Sequence, residues 1–451
     1  MEWIEKTIGE LCDIGGGEVK TGPFGSQLHQ EDYSDEGTPV VMPADIIDGG
    51  ISQTKIARVK ESHVDRLYKH KLSIGDIIYG RRGDIGRQTI IKRDYEGWLC
   101  GTGCLRISLG NSIINPEYLH LYLKIPEVIG WIQNQAIGAT MPNLNTGILR
   151  RVPVIFPSSC DNQNKIAAIL STYDDLIENN KRRIALLEKM AEEIYCEWFV
   201  RFRFPGYQTA EFEKGIPKNW EIKVMRDLVS YYVGGGWGEE NESSTFSKGA
   251  YVIRGTDIPH LSSGNYTNRV FRYHKPSNFK ARKLEVNDFI FEVSGGSKDQ
   301  LLGRNLMVSE GLLKLFENKV ICASFCKQIR FDAQKVSPLF MKYYLKLYYE
   351  CDLVGIYQVQ STGISNYQFE SFLNYQTISL PEKRILDEFD KLIEPIIRQQ
   401  ETLAFENLNL ITTKDSLLPR LISGKLSVEN LDIQFPPSML DAQALYGEAR
   451  S

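Results

Sequence analysis

The sequence predicts an α+β protein made of two pseudo-repeated, mainly β domains separated by two long, antiparallel coiled-coil helices and related by a pseudo-twofold axis. Three observations predict this architecture. Short motifs recur in the same order at offsets of 212 to 224 residues. Runs of β-branched and aromatic residues between Gly, Asn, Asp and Pro turns fill the first part of each repeat. A helical apolar period with little glycine fills the second part.

The repeat is clearest in two pairs of cysteines. Cys100 and Cys104 match Cys322 and Cys326 at an offset of 222 residues. Other matches follow in the same order, and a drifting offset is what loop insertions produce. These matches include Asp45-Ile46 with Asp257-Ile258, Lys71-Leu72 with Lys283-Leu284, Pro116-Glu117-Tyr118 with Pro338-Leu339-Phe340, and Gly138 to Leu144 with Ser361 to Tyr367.

The helical part of each repeat shows apolar residues at alternating steps of four and three, which is the heptad spacing of a coiled coil. In the first copy the predicted seam is Ile166, Leu170, Tyr173, Ile177, Asn180, Ile184, Leu187, Ala191, Ile194 and Trp198. In the second copy it is Ile385, Phe389, Leu392, Ile396, Gln399 and Leu403, followed by a looser pattern. The predicted divisions of the chain are domains at 1–158 and 220–381, helices at 159–200 and 382–426, a linker at 201–219 and a tail at 427–451.

Each predicted seam carries one amide, Asn180 in the first helix and Gln399 in the second. A single buried amide commonly fixes the register of paired helices. We expect an antiparallel pair with these two residues near its centre; the alternative is that both amides face solvent. Pro395 lies inside the second helix and should bend it or mark its first true turn.

Length and composition bound the possible functions. A chain of 451 residues predicts several domains, and a formal net charge of -4 means that any nucleic acid must bind local basic patches. No apolar run approaches the roughly 18 residues of a membrane span and the N-terminus lacks a secretory pattern, so we expect a cytoplasmic protein without membrane contact. Eight cysteines without CxxC or zinc spacing predict thiols, not disulfides, and no structural metal.

Motifs that could indicate an enzyme have simpler interpretations. Gly15–Gly17 and Gly234–Gly236 lack the Lys-Ser or Lys-Thr of a phosphate-binding loop, so they predict turns. The segment Asn115–Tyr118 is similar to the Asn-Pro-Pro-Tyr site of adenine methyltransferases but lacks the second proline, and it favours the start of a helix. We find no catalytic constellation and expect no enzymatic activity from this chain alone.

Two segments indicate nucleic-acid binding. Residues 270–283 carry five basic and three aromatic residues and no acid, and residues 79–87 place three arginines between two β-like runs. Basic side chains neutralise phosphates, and arginine also binds guanine in the major groove. Either segment alone could be a solvated hairpin tip. The candidate DNA-binding residues are Arg81, Arg82, Arg87, Arg272, Lys275, Lys280, Arg282, Lys283, Lys298 and Arg304.

Several motifs resemble the specificity subunit of a type I restriction-modification system, and the resemblance covers essentially the whole chain. It rests on the repeat and on four segments. These segments are Thr21 to Leu28, Gly75 to Ile78, Arg82 to Arg87, and Leu417-Leu418-Pro419-Arg420-Leu421-Ile422-Ser423-Gly424-Lys425-Leu426, which is the most specific. The second copy departs from the first, since Phe291 to Lys298 replaces the arginine loop of Tyr79 to Gly86. The two domains are therefore expected to read different bases.

The resemblance implies that each β-rich domain is a target recognition domain for one half of a split double-stranded DNA sequence. It further implies that the helices separate the halves and bind two modification subunits, with restriction subunits as further partners. No cofactor is expected in this chain, while S-adenosylmethionine, ATP and Mg are expected on the partners. Two alternatives remain open, namely the recognition chain of a methylation-only system and a coiled-coil scaffold whose β domains bind protein.

Overall fold

A computed structural model describes residues 2–24, 27–47, 49–81, 85–136, 143–295, 300–361 and 363–439 of the chain. Arg82 and Lys298, two predicted DNA-binding residues, lie outside these described residues. The chain divides into two compact units. Unit 1 comprises Met1–Glu178 and Leu410–Ser451, and unit 2 comprises Asn179–Asn409. Each unit contains helices and sheets, so the protein is of the α+β class.

Unit 1 is built on two four-stranded sheets, with strand orders β2-β11-β8-β9 and β10-β4-β7-β3, and on the pairs β1-β12 and β5-β6. Its strands are β1 Trp3–Thr7, β2 Gly16–Thr21, β3 Tyr33–Ser34, β4 Thr38–Val41, β5 Ile46–Ile47, β6 Gly50–Ile51, β7 Ala57–Val59, β8 Ile77–Gly80, β9 Gln88–Ile90, β10 Leu99–Cys100, β11 Cys104–Gly110 and β12 Pro153–Pro157. Its helices are α1 Ile8–Gly15, α2 Glu61–Arg66, α3 Pro116–Tyr122, α4 Pro126–Gln135, α5 Thr146–Arg150 and the first part of α6 Cys160–Tyr195.

Unit 2 has a similar plan, with sheets of strand order β16-β23-β19-β21, β18-β17-β22 and β20-β25-β24. Its strands are β13 Phe212–Glu213, β14 Ile216–Pro217, β15 Glu221–Val224, β16 Val229–Gly234, β17 Lys248–Ile253, β18 Val270–His274, β19 Asp288–Glu292, β20 Ser294–Gly295, β21 Asn305–Met307, β22 Val320–Cys322, β23 Cys326–Phe331, β24 Gln358–Ser361, β25 Ile364–Tyr367 and β26 Thr377–Leu380. Its helices are the rest of α6, then α7 Met225–Leu228, α8 Ile258–Ser262, α9 Pro276–Arg282, α10 Glu310–Leu315, α11 Pro338–Glu350, α12 Phe369–Tyr375 and most of α13 Lys383–Ile422. The last part of α13, from Leu410, belongs to unit 1.

The proline motifs of the repeat begin helices, as the sequence analysis proposed. The Asn115 side chain accepts a hydrogen bond from the Tyr118 amide at 3.1 Å and thereby caps α3. Ser337 caps α11 in the same way, since its Oγ accepts from the Phe340 amide at 3.1 Å. In both helices a proline occupies the first turn, where its missing N–H is not needed.

The long helices α6 and α13 pack against each other within each unit. In unit 1, Ile166 and Leu170 of α6 share a core with Leu418 and Leu421 of α13. In unit 2, the Asn180 amide donates to Glu406 Oε2 at 3.4 Å, and Gln400 Nε2 donates to the Ile184 carbonyl at 3.3 Å. In unit 2 the contacts pair Asn180 with Glu406 and Ile184 with Gln400, so the numbers rise along one helix and fall along the other, and these segments run antiparallel.

The prediction that Gln399 is a register amide is wrong by one residue. Gln399 is exposed, and the neighbouring Gln400 makes the contacts with the opposite helix. Leu392 is likewise 48% exposed, while Ile393 is buried. The predicted seam followed a strict 3.5-residue period, whereas an α-helix has 3.6 residues per turn, so the contact face moves relative to a heptad grid. The buried residues of α13 are Ile385, Leu386, Phe389, Ile393, Leu403, Ala404, Asn407, Lys414, Leu418, Leu421 and Ile422, so the predicted seam residues Ile385, Phe389 and Leu403 are buried.

The prediction for Pro395 is also corrected in part. Helix α13 begins at Lys383, twelve residues earlier, and continues through Pro395 to Ile422. Proline lacks the N–H that would bond the carbonyl one turn before it, but the rest of the helix ladder and the packed apolar face maintain the helix. Pro395 therefore does not mark the first turn.

A partly buried ionic group joins α6 to α11 within unit 2. The Glu188 carboxylate contacts Lys342 Nζ at 2.9 Å and Lys346 Nζ at 3.2 Å, and it accepts from Gln400 Nε2 at 3.0 Å. Burial alone would raise the pKa of Glu188, but the two ammonium groups and the amide together lower its pKa to about 2. Glu188 is therefore ionised under physiological conditions and links three elements of unit 2.

Candidate nucleic-acid interface

Loops from several strands meet at one edge of unit 1, where we define loop cluster 1 as residues 22–24, 41–43, 81, 101–103 and 144. Backbone hydrogen bonds connect these loops. They run from Gly22 N to Cys104 O at 3.0 Å, Gly101 N to Val41 O at 2.9 Å, Arg81 N to Gly103 O at 2.8 Å, and Leu144 N to Arg81 O at 3.0 Å. The cluster therefore holds its side chains on a bonded backbone frame.

Unit 2 contains an equivalent group, loop cluster 2, made of residues 235–237, 253–255, 293, 323–325 and 367. Its bonds run from Gly235 N to Cys326 O at 2.9 Å, Ala323 N to Ile253 O at 2.8 Å, Val293 N to Phe325 O at 2.9 Å, and Tyr367 N to Val293 O at 2.9 Å. Each bonded residue lies 212 to 223 positions after its counterpart in cluster 1. The sequence repeat thus corresponds to the same backbone connections in each unit.

Glycine is required where the loops approach most closely. A Cβ on Gly22 would lie 2.0 Å from the Gly101 carbonyl oxygen, and a Cβ on Gly235 would lie 2.1 Å from the Ala323 carbonyl oxygen. Both distances are far below van der Waals contact, so any larger residue would separate the loops. This accounts for one glycine of the Thr21–Leu28 motif and for the middle glycine of Gly234–Gly236.

Loop cluster 1 presents an arginine beside an exposed aromatic ring. Arg81 Nε donates to Asn143 Oδ1 at 3.0 Å and to the Leu144 carbonyl at 3.1 Å. Its guanidinium lies 5.7 Å from the ring centroid of Phe24, which is 52% exposed. Arg87 is exposed beyond the same loop. These groups combine cation–π contact with hydrogen-bond donors at a surface that a nucleic acid could reach.

Loop cluster 2 carries a similar combination on other residues. Trp237, which follows Phe24 by 213 positions, is 40% exposed, and Phe325 is 58% exposed. The Arg272 guanidinium lies 5.0 Å from the Trp237 ring and pairs with Glu240 at 3.0 Å. Strand β18 of the predicted basic segment therefore adjoins cluster 2. The residue that corresponds to Arg81 is Val293, so the arginine loop is not repeated.

The other predicted binding residues fall into two groups. Lys275, Lys280 and Lys283 are exposed on or beside α9, and Lys275 Nζ lies 5.4 Å from the Phe246 ring. Arg282 Nε donates to the Gly234 carbonyl at 2.9 Å and supports the turn before cluster 2. Arg304 forms two hydrogen bonds with Glu292, of 2.7 and 2.6 Å, and these raise the pKa of Arg304 above its usual value.

Sequence reasoning missed Arg254, which belongs to loop cluster 2 and precedes Asp257 by three residues. Arg254 is 34% exposed and forms a bidentate pair with that aspartate. Its hydrogen bonds to Asp257 raise the pKa of Arg254, so it stays charged. The signal was present, because Asp257-Ile258 repeats Asp45-Ile46 and Arg254 occupies the place of Met42. The exposed rings of Phe24 and Trp237 were also overlooked as neighbours of the arginines.

The described residues contain no metal-binding cluster, no membrane-spanning helix and no disulfide. Among them, no group of three or more His, Cys, Asp or Glu side chains is arranged to hold a metal ion. No helix within the described ranges is both long and apolar enough to cross a membrane. None of the eight cysteines, all of which are described, forms a disulfide.

Comparison with known proteins gives consistent matches along the chain. Residues 1–189 match the family described as the type I restriction modification DNA specificity domain. The chain is 24% identical over 445 residues to the type I restriction enzyme MjaIX specificity subunit of Methanocaldococcus jannaschii, covering 95% of each chain. The chain is a homologue of type I specificity subunits. It is also 21% identical to the HindI specificity subunit of Haemophilus influenzae, covering 85% of this chain and 93% of that one.

A solved structure supports the fold of this specificity-subunit homologue. The S subunit of a type I restriction-modification system from M. genitalium is 15% identical, with a TM-score of 0.52, and the similarity covers 93% of this chain and 96% of that one. The family match over residues 1–189 includes all of loop cluster 1. The similarity to the M. jannaschii protein covers 95% of this chain, so it extends beyond unit 1 into unit 2.

Proposed function

We propose that this chain is the DNA-recognition subunit of a type I restriction-modification complex and that each unit reads one half of a bipartite target. The observation that carries the proposal is the pair of loop clusters in a homologue of specificity subunits. Each cluster has the same backbone bonds and an exposed aromatic ring beside an arginine, which is Arg81 of the bonded loops in cluster 1 and Arg272 of strand β18 in cluster 2. A duplicated surface of this kind suits a target with two recognised parts.

The side chains of the clusters suit two kinds of DNA contact. Exposed basic residues such as Arg87, Lys275, Lys280 and Lys283 are suited to phosphates, which position a protein without reading sequence. Residues held on the bonded loops, such as Arg81, are suited to base edges, where sequence is read. Because cluster 1 carries Arg81 where cluster 2 carries Val293, the two half-sites are expected to differ in sequence.

The long helices are proposed to separate the half-sites, in the pseudo-twofold arrangement predicted from the sequence, and to bind two modification subunits. Helices of 36 and 40 residues are about 54 and 60 Å long at 1.5 Å per residue. Large apolar side chains remain exposed on them, which favours contact with partner chains. These side chains are Leu176, Leu186, Met190 and Leu392.

The chemistry is proposed to reside in the partners. Modification subunits would carry S-adenosylmethionine and methylate adenine, and restriction subunits would use ATP and Mg to cut unmethylated DNA. This chain would direct both activities by binding DNA and would contribute no catalytic group.

The proposal is tested by mapping methylated adenines in a host that expresses the chain with its cognate modification subunit. A host that expresses the modification subunit alone is the control. We expect a new split motif only when this chain is present, and replacement of residues 1–158 by those of a relative should change one half of it. An assembled complex that produces no new methylation would overturn the recognition role and favour a protein-binding scaffold.

A further inference from the structure

Arg254 is held in an orientation that leaves one edge of its guanidinium available. Its Nε donates to Asp257 Oδ2 at 3.0 Å, and its Nη2 donates to Asp257 Oδ1 at 2.7 Å. Asp257 also accepts from the Arg254 backbone amide at 2.9 Å, so it fixes both the main chain and the side chain. Nη1 forms no hydrogen bond or ion pair with any residue that the structure describes. The free edge therefore carries parallel N–H donors from Nη1 and Nη2.

The equivalent position of unit 1 lacks these donors. Met42 precedes a one-turn helix of residues Pro43–Asp45, and its backbone amide donates to Asp45 Oδ2 at 2.9 Å. Arg254 precedes the corresponding turn of residues Gly255–Asp257. The backbone cap is thus the same in the two units. The turn residues differ, with Pro43-Ala44 in unit 1 and Gly255-Thr256 in unit 2, and the side chain before the turn changes from Met42 to Arg254. Such a position can change what a loop recognises without changing the loop.

Arg254 lines a cavity of about 600 Å³ in unit 2. The exposed rings of Trp237 and Phe325 and the apolar chains of Leu301 and Leu302 line it as well. The cavity lies at loop cluster 2, where the proposed function places the DNA. An arginine braced by a carboxylate has already lost much of its rotational freedom, so binding a base with it costs less entropy.

A second arginine of the same cavity serves as an internal comparison. Arg304 is only 14% exposed, and its Nε and Nη2 donate to Glu292. Its Nη1 lies 2.7 Å from the side-chain oxygen of Gln300 in the amide orientation that satisfies both groups. Each of the three guanidinium nitrogens of Arg304 therefore has a partner within the protein, whereas Nη1 of Arg254 has none among the described residues.

We propose, on the basis of the proposed function, that Arg254 reads a guanine in the half-site bound by unit 2. Guanine presents two acceptors, O6 and N7, on its major-groove edge, and they match two parallel N–H donors of arginine. Adenine presents one acceptor and one donor there, so it cannot accept both bonds. Met42 makes no such contact, and the half-site bound by unit 1 gains no guanine requirement from this position.

The test uses the chain in complex with its modification subunit and measures methylation rates on duplexes with every base pair of the target varied. Replacing residues 1–158 by those of a relative first identifies which half belongs to unit 1. For wild type we expect one G·C pair in the other half to be strongly preferred. Arg254→Met should reduce that preference about 10- to 100-fold and leave every other position unchanged. Arg254→Lys should lose the same preference, because lysine lacks the planar fork.

Two controls separate a reading role from other roles. Arg226→Met removes an arginine of unit 2 that is also 34% exposed and paired with a carboxylate, but that does not line the cavity. This variant should keep the preference. If Arg254→Met impairs folding through the unpaired buried aspartate, the double variant Arg254→Met/Asp257→Asn removes that charge.

The outcomes are distinct. Equal loss of methylation on all duplexes, restored by Arg254→Lys, would assign Arg254 to a phosphate and overturn the proposal. Unchanged preference in a folded Arg254→Met variant, or a wild-type half-site without a required G·C pair, would also overturn it. Absence of any split motif with the wild-type chain would instead refute the proposed function itself.

Discussion

The substitution Asp288→Asn should destabilise unit 2 strongly, whereas the equivalent Asp76→Asn should have little effect on unit 1. Asp288 is 0% exposed and accepts from the Glu285 amide at 2.6 Å, from Gln328 at 2.7 Å, and from Arg330 Nε and Nη2 at 2.6 and 2.9 Å. Asparagine would turn an N–H₂ group toward these donors and leave the guanidinium without its carboxylate.

The magnitude follows from the two environments. Breaking a buried ion pair costs about 3 to 5 kcal/mol, and the lower end applies because Arg330 is partly exposed and keeps Glu285 at 2.9 Å. Asp76 occupies the same turn and accepts from the Ser73 amide at 3.0 Å, but its nearest cation is Arg106 at 3.9 Å. Burial raises the pKa of Asp76, so a neutral amide there should cost about 1 kcal/mol or less.

Hydrogen exchange measured by mass spectrometry can report each unit separately. A loss of about 3 kcal/mol should accelerate amide exchange in β19 and β23 about 150-fold in Asp288→Asn, while β8 and β11 of the same molecule serve as an internal reference. In Asp76→Asn, β8 and β11 should exchange less than about tenfold faster. The reasoning would be refuted if amide exchange accelerated to a similar extent in the two variants, or if Asp288→Asn accelerated exchange in β19 and β23 less than about threefold.

Three further predictions concern the helices and the thiols. In urea unfolding, Gln400→Ala should destabilise unit 2 by about 1 to 2 kcal/mol, whereas Gln399→Ala should destabilise it by less than about 0.5 kcal/mol. Equal effects of the two substitutions would contradict the observed seam. The pKa of Glu188 is about 2 in the folded protein and 4.5 ordinarily. The ionised carboxylate therefore stabilises the fold fully above about pH 4.5, and this stabilisation is lost as the pH falls toward 2. The free-energy difference between wild type and Glu188→Gln should therefore narrow as the pH falls from about 5 to 3, and a constant difference would refute the assignment. Iodoacetamide at pH 8 should modify exposed Cys351 before buried Cys322, whose pKa burial raises to about 12; peptide mass spectrometry showing equal rates would contradict this order.

Local patterns in the sequence were sufficient for several features. The spacing of apolar residues predicted two long helices, and the structure has them at Cys160–Tyr195 and Lys383–Ile422. The capped proline turns before Tyr118 and Phe340 were readable because a cap depends on only a few neighbouring residues. The pairing of repeats was readable as well, since the matched offsets mark residues that form the same backbone bonds.

Side-chain partners were the part that the sequence left undetermined. A stretch rich in basic residues predicts charge but not which charges are occupied, and the structure assigns Arg282 to a carbonyl and Arg304 to a carboxylate. The partner carboxylate, Glu292, lies twelve residues from Arg304 and reaches it through the pairing of strands β19 and β21. No local pattern records such a pairing.

By itself, therefore, the sequence determined the α+β class, the repeat, the long helices and the resemblance to type I specificity subunits, because each depends on periodicity or on motifs read along the chain. Only the tertiary structure decided that Gln400 and not Gln399 faces the opposite helix, since a shift of one residue depends on the true helical period. It also decided that Arg254 and Phe325 line one cavity, because loops distant in sequence meet only when the strands that carry them pair.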